Sequence, residues 1–115
     1  MHEYSIVAAL VDRVQRELDA RPGAVARKLH VRIGELAGVE LELLRTAFTT
    51  FRERSVCAEA ELAIEPVAAA WRCMRCDLPI APGAVLRCPS CGRPAGLATG
   101  TEIILERIEM EVRDV

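Results

Sequence analysis

Two Cys-x-x-Cys pairs constrain this chain more than any other feature of its sequence. Eleven residues separate the first pair, Cys73 and Cys76, from the second, Cys88 and Cys91. Two residues between cysteines let a tight turn bring both sulfurs to one metal ion, and four thiolates fill the tetrahedral shell that zinc prefers. A complete shell leaves no position for water or substrate, so the pattern predicts a structural zinc site.

Other interpretations of these cysteines are open. Each pair could act as a redox dithiol, although the chain has no thioredoxin-like pattern, and iron can also occupy a four-cysteine site. Zinc ribbons also bind nucleic acid, and the segment around the cysteines is locally basic. Its arginines are Arg72, Arg75, Arg87 and Arg93. The formal net charge of -2 and the single nearby aromatic residue, Trp71, argue against nucleic acid as the partner.

The rest of the chain carries helix and strand patterns in turn. Apolar residues at three- and four-residue steps predict helices over residues 4–20 and 39–54. Alternation of apolar and polar residues predicts strands over residues 27–33, 61–65 and 101–112. We therefore expect an α+β fold, with two helices packed on a three-stranded sheet and a small zinc-ribbon-like lobe inserted before the last strand.

The expected domain boundaries follow a change in composition. Four of the five cysteines and four of the six prolines fall between residues 71 and 97. We predict that residues 1–69 form the first part of an α+β domain, which also contains the candidate metal-binding N-terminus. Residues 70–97 form the zinc lobe, and residues 98–115 return as a strand that completes the first domain.

Two details of the strand patterns narrow the expected sheet. In the last strand, Ile103 and Leu105 have the opposite parity to Ile108 and Met110, so we expect either a bulge or burial on both faces. Pro66 has no N–H to donate to a strand ladder. Its strand should therefore lie at a sheet edge or end there.

Composition narrows the class of protein. Hydrophobic residues make up 51% of the 115 residues and aromatic residues only 3%, so the core must be built from Leu, Val, Ile and Ala. No apolar run is long enough to span a membrane, and no basic segment precedes an apolar one at the N-terminus. We expect a soluble cytoplasmic protein with reduced thiols. We also expect no enzyme activity, because no nucleophile–base pair or phosphate-binding loop is evident.

The N-terminal triplet Met1-His2-Glu3 is a candidate second metal site. The α-amine of Met1, the amide nitrogen of His2 and the imidazole of His2 can close adjacent chelate rings, and the Glu3 amide or carboxylate can add a donor. Deprotonated amides in a plane favour nickel(II) or copper(II) over zinc. The amine and imidazole must lose protons to bind, so affinity should fall with pH. The alternative is an ordinary frayed terminus.

Two further residues receive plain structural interpretations. Cys57 stands apart from the paired cysteines and is interpreted as a small buried hydrophobe or a thiol near a helix end. His30 lies on the polar side of a predicted strand and is interpreted as a solvated or hydrogen-bonded residue.

The sequence resembles the HypA/HybF family of hydrogenase maturation proteins over essentially its whole length. The segments that carry the resemblance are residues 1–5, 31–36, 47–51, the two Cys-x-x-Cys pairs and residues 100–102. The joint pattern is more specific than either metal motif alone. Members of the family vary in the spacing and flanks of the cysteine loop, which leaves the orientation of the lobe open.

The resemblance implies a nickel metallochaperone for NiFe-hydrogenase assembly. It implies Ni(II) as transient cargo at Met1, His2 and Glu3, and structural Zn(II) at the two cysteine pairs. Glu40 sits where an acidic residue assists the nickel site in certain relatives. The implied partners are the GTPase HypB and the NiFe-hydrogenase large subunit, with urease maturation proteins in some organisms. The competing hypothesis is a zinc-ribbon adaptor that binds a protein or nucleic acid without nickel.

Overall fold

The order of secondary-structure elements is the one that the sequence predicts. The computed structural model describes residues 2–81 and 85–113. The helices are α1 (His2–Asp19) and α2 (Leu41–Phe51), and a short 3₁₀ turn (Arg52–Arg54) follows α2. The strands are β1 (Ala24–Gly34), β2 (Glu61–Val67), β3 (Ala70–Arg72), β4 (Pro79–Ile80), β5 (Gly96–Thr99) and β6 (Ile103–Val112).

The strands form two separate sheets. In the first, β1 lies in the middle, parallel to β2 and antiparallel to β6. The parallel pair is possible because α2 carries the chain back along the sheet between the two strands. In the second sheet, β3 lies between β4 and β5, and both pairings are antiparallel. The predicted α+β architecture with an inserted cysteine lobe is confirmed.

Both helices cover the same face of the first sheet. Leu29, Val31 and Ile33 alternate along β1, and each is at most 2% exposed. The helical residues that share their core are Val7, Leu10, Val11 and Val14 from α1 and Leu44, Ala47 and Phe48 from α2. Each fully buried side chain of this size stabilises the fold by about 1.5–3 kcal/mol. This stripe explains why α2 is stable although it has only 11 residues.

Bulges resolve the parity conflict in β6. The pairing of β1 with β6 shifts register twice, first near Arg27 and again between Val31 and its neighbour His30. The second shift places Leu105 opposite Val31, while Ile108 stays opposite Leu29. Both β6 side chains therefore pack on the helical core in spite of their opposite parity. Of the two alternatives expected for this strand, a bulge or burial on both faces, the structure shows the bulge.

Element boundaries differ from the sequence prediction by a few residues. The first helix begins at His2, two residues before the apolar period, and β1 begins at Ala24, three residues before the alternation. Pro66 lies inside β2, which is an edge strand of the first sheet as expected.

Cys57 is fully buried in the main core, where desolvation raises the pKa of its thiol to about 11. In the part of the chain that the structure describes, no helix is long and apolar enough to cross a membrane.

The end of β1 is joined to both chain segments that lead into and out of the second sheet. The Leu36 N–H donates to the carbonyl of Gly100 at 2.7 Å, and the Glu35 N–H donates to the carbonyl of Val67 at 2.8 Å. The Glu35 carboxylate also accepts the N–H of Ala69 at 2.7 Å. We call this set of contacts the junction. It ties the cysteine lobe to the first sheet through two bonds between backbone groups and one to the Glu35 carboxylate.

We expect Gly34→Ala to destabilise the junction strongly. A Cβ added at Gly34 would lie 2.2 Å from the backbone carbon and oxygen of Gly100, and backbone atoms cannot yield cheaply. The free energy of unfolding should fall by about 3 kcal/mol. Gly38→Ala is the matched control, because Gly38 has a φ of +75° but no atom within 4 Å of an added Cβ, so its cost should be about 1 kcal/mol. Equal losses in urea denaturation would contradict the steric argument.

The face of the first sheet away from the helices is polar. There His30 of β1 bonds to the carboxylate of Glu109 on β6, and the Arg107 guanidinium lies 3.3 Å from the same imidazole nitrogen. The hydrogen bond from His30 lowers the pKa of Glu109, and the charges of Lys28 and Arg107 act in the same direction. The interpretation of His30 as a hydrogen-bonded residue agrees with this geometry.

The lowered pKa of Glu109 gives a pH-dependent contribution to stability. A carboxyl whose pKa is lower in the folded state stabilises the fold above its unfolded value, 4.5, and that contribution is lost as pH falls through the folded pKa. In thermal unfolding measured from about pH 6 down to about pH 3, the wild type should therefore lose stability more steeply than Glu109→Gln. Parallel curves would show that Glu109 makes no such contribution.

Candidate metal centres

The structure brings the four paired cysteines into one cluster. The sulfur atoms of Cys73, Cys76, Cys88 and Cys91 all lie within 4.8 Å of one another, and those of Cys73 and Cys91 are 3.5 Å apart. A zinc ion with bonds of about 2.3 Å sets tetrahedral sulfurs about 3.8 Å apart. None of the cysteines is in a disulfide. The cluster therefore fits a closed tetrahedral site.

Each cysteine pair is shaped by the same kind of turn. The carbonyl of Cys73 accepts the N–H of Asp77 at 2.8 Å, and the carbonyl of Cys88 accepts the N–H of Gly92 at 2.9 Å. In the first turn, the N–H of Cys76 points at the sulfur of Cys73, with nitrogen and sulfur 3.3 Å apart. Backbone N–H groups aimed at sulfur stabilise the thiolate form that a metal needs.

Asp77 and Gly92 hold equivalent positions at the ends of these turns. Their φ angles are +57° and +74°, in the left-handed region that glycine enters without strain. Asp77 is the one non-glycine residue with a positive φ in the described part of the chain. Its carboxylate accepts a hydrogen bond from Arg72 at 3.0 Å, and its carbonyl accepts a second at 2.7 Å. These bonds hold a conformation that aspartate tolerates better than most residues.

The pKa values of the clustered thiols are shifted in ways that bear on metal binding. The N–H of Cys76 lowers the pKa of the Cys73 thiol, so this sulfur is the first to ionise. The neighbouring sulfurs of Cys91 and Cys73 raise the pKa of Cys76, because a second negative charge beside the first is unfavourable. A bound metal ion offsets the repulsion among neighbouring thiolates and displaces their protons, so metal binding and proton release are linked.

The described part of the lobe, residues 70–81 and 85–97, has little core apart from its metal ligands. Its buried residues are Cys73, Ile80 and Cys88, with Trp71 packed against them. A core this small supplies too little apolar burial to fold alone. Structural zinc sites contribute about 10–16 kcal/mol of apparent binding energy in small domains. The metal should therefore decide whether the lobe is folded.

Removal of one ligand should unfold the lobe and spare the helical domain. We expect Cys88→Ser to lose its zinc and to shift the emission of Trp71, the single tryptophan of the chain, towards the red. Helical circular dichroism should stay near the wild-type value because both helices belong to the other core. Cys57→Ala is the matched control and should keep one zinc per chain by mass spectrometry. Zinc retained in Cys88→Ser would contradict the four-cysteine assignment.

The predicted nickel donors lie at the start of α1. Met1 lies outside the described residues. His2 is the first residue of α1 and is exposed. N–H groups in the first turn of a helix have no carbonyl partner within the helix, so the amide of His2 is not needed for helix formation.

Glu3 has a structural role that the sequence did not reveal. It is only 9% exposed, and its carboxylate accepts the N–H of Glu40 at 3.1 Å. This contact and the N–H of its own residue lower the pKa of Glu3. Glu40 itself is exposed and makes no side-chain cap at the start of α2. The structure thus brings Glu3 and Glu40 together, through a carboxylate and a backbone N–H that no sequence pattern could signal.

Comparison with known proteins identifies relatives over the whole chain. Residues 1–110 match the family model described as "Hydrogenase/urease nickel incorporation, metallochaperone, hypA". The hydrogenase maturation factor HypA of Wolinella succinogenes is 38% identical over 117 aligned positions, which cover 99% of this chain and 98% of that protein. HypA of Shewanella oneidensis is 32% identical and covers 96% of each chain.

Solved structures give the same result for the fold. The solution structure of a HypA protein superposes with a TM-score of 0.81, at 30% identity and 98% coverage of both chains. The solution structure of the nickel metallochaperone HypA from Helicobacter pylori superposes with a TM-score of 0.71, at 29% identity. It covers 96% of this chain and 98% of that one.

Proposed function

This chain belongs to the HypA family of nickel-incorporation metallochaperones, and from that premise we propose which residues hold its metals and which proteins it serves. A member of this family carries nickel during hydrogenase maturation and is not an enzyme. The observation that supports the site assignment is the position of His2 at the exposed start of α1. Its imidazole and its amide nitrogen can reach the same metal ion there.

The nickel site is formed by Met1, His2 and Glu3. The α-amine of Met1, the amide and imidazole nitrogens of His2 and the amide nitrogen of Glu3 supply four nitrogen donors, a set that suits square-planar nickel(II). The Glu3 carboxylate is the weaker candidate because it is nearly buried and already accepts the N–H of Glu40. Glu40, whose backbone N–H makes that bond, has an exposed carboxylate that can add an oxygen donor.

The zinc site is formed by Cys73, Cys76, Cys88 and Cys91, and its role is structural. The domain division that accompanies these sites is the predicted one, with residues 1–69 and 98–115 in the nickel-binding domain and residues 70–97 in the zinc lobe. The backbone junction between the first sheet and the lobe supports this division.

The two sites suit different tasks. Four thiolates that close the coordination shell hold a metal that stays, whereas donors at a helix terminus can be exchanged one at a time while the helical core stays intact. We propose that the protein acts in the cytoplasm with the GTPase HypB and passes nickel to the NiFe-hydrogenase large subunit. Urease maturation proteins are a further client class.

The first test is nickel titration of tag-free protein by calorimetry and visible absorption. The wild type should bind one nickel ion, and His2→Ala should lose that site because it removes the imidazole donor and the chelate ring that the imidazole closes. Both proteins should keep their zinc. A Gly-Ser extension before Met1 should also abolish the site, since it converts the α-amine into an amide.

Glu3→Gln is the matched control for the amide assignment. It keeps the backbone nitrogen of residue 3, so the nickel stoichiometry should be unchanged. Loss of nickel in Glu3→Gln would assign the donor to the carboxylate. Unchanged nickel binding in His2→Ala and in the extended chain would remove the site from the N-terminus and favour the zinc-ribbon adaptor.

A further inference from the structure

The cysteine lobe is basic in an otherwise acidic protein. Residues 70–99 contain four arginines and one aspartate but no lysine or glutamate, whereas the whole chain has a formal net charge of -2. The first domain therefore carries the excess of acidic groups. Opposite charges on the two parts of a chain favour different partners.

Two of the four arginines are used within the lobe. Arg72 binds the carboxylate and carbonyl of Asp77, and Arg87 donates to the carbonyl of Gly92 at 2.9 Å. Across residues 2–81 and 85–113, the guanidinium groups of Arg75 and Arg93 take part in no hydrogen bond or ion pair, and both residues are exposed. These two cations are available to a partner.

Arg75 and Arg93 line the same shallow cavity. It has a volume of about 330 Å³, and its other lining residues are Cys73, Met74 and Pro94. Met74 is 67% exposed, so it offers apolar surface beside the two arginines. A Cβ added at Gly96 would lie 2.4 Å from the Met74 methyl carbon, so this side chain rests directly on the backbone of β5. We call this surface, formed by Met74, Arg75, Arg93 and Pro94, the lobe face.

We propose that the lobe face docks an acidic segment, with an apolar side chain beside its carboxylates, on the protein that receives the nickel. The inference rests on the proposed function for the identity of that recipient. Guanidinium groups form paired hydrogen bonds with carboxylates, and exposed methionine adapts to irregular apolar partners. Arginine and methionine are also enriched in protein–protein interfaces relative to other surfaces. A basic lobe face opposite an acidic segment would steer the encounter and fix the orientation of the chaperone.

A protein fits this surface better than nucleic acid does. Binding of single-stranded nucleic acid uses exposed aromatic rings on which bases stack. The single tryptophan of the chain, Trp71, packs instead against the lobe core of Cys73, Ile80 and Cys88. The acidic first domain would also repel a phosphate backbone that extended beyond the lobe.

The test measures binding of the nickel-loaded, zinc-loaded full chain to purified precursor of the NiFe-hydrogenase large subunit. Charge reversal in the double variant Arg75→Glu/Arg93→Glu should raise the Kd by about tenfold or more. The wild-type affinity should fall as ionic strength rises, and the variant should lose that dependence. Arg54→Glu is the matched control because Arg54 is an exposed arginine of the first domain, without a hydrogen bond or ion pair among the described residues. Its Kd should equal that of the wild type.

Metal content separates failure of the docking surface from failure of the proposed function. All three proteins should hold one zinc and one nickel ion, since no substituted side chain is a proposed ligand. An unchanged Kd in the double variant, with both metals bound, would overturn the docking surface and leave the nickel site standing. If the wild type does not bind the precursor, the recipient is wrong and so is this assignment of the face. Binding of a single-stranded oligonucleotide that only the double variant loses would assign the face to nucleic acid.

Discussion

Backbone contact at the end of β1 determines how the two halves of the molecule are joined. Gly34 approaches Gly100 so closely that no side-chain atom fits between them. The next residue, Glu35, uses its N–H on Val67 and its carboxylate on Ala69, so one residue holds the segment that enters the lobe. Because most of these contacts join main-chain groups, the central strand fixes the course of the chain segments that lead into and out of the lobe. The close approach also explains why β1, the longest strand of the first sheet, ends in glycine.

The cysteine cluster and the proposed nickel site make opposite use of the backbone. Around the cysteines, the turns that end at Asp77 and Gly92 direct N–H groups towards the sulfurs of Cys73 and Cys88, so the backbone stabilises the thiolates that bind the metal. At the N-terminus, the first N–H groups of α1 have no carbonyl partner within the helix, and a nickel ion bound there would displace protons from the amide nitrogens. The first arrangement gives retention and the second gives exchange. A carrier protein requires both when one metal maintains its shape and the other is its cargo.

Patterns within a short stretch of sequence were predictable, and contacts between distant backbone groups were not. The cysteine spacing predicts the cluster because two residues between ligands are enough to define a turn. The parity conflict between Leu105 and Ile108 predicts a bulge because side-chain direction alternates along a strand. The hydrogen bond from the Glu40 N–H to the Glu3 carboxylate spans 37 positions and uses a backbone donor. It therefore could not be predicted from the identity of either residue. The same is true of Gly34, whose need to be glycine is apparent only when the opposing backbone is in place.

One short segment connects these distant contacts. Residues 35–40 begin at the junction with the lobe and end at the residue whose N–H holds Glu3. Six residues span at most about 20 Å, so the proposed nickel donors and the root of the zinc lobe act on the two ends of the same stretch of backbone. Thermodynamic linkage requires that any coupling between the two metal sites be reciprocal. If zinc in the lobe changes the affinity for nickel by some factor, nickel must change the affinity for zinc by the same factor, because both ligands bias one set of conformations. Segment 35–40 would carry such a bias, since it is hydrogen-bonded to the lobe junction at one end and to Glu3 at the other.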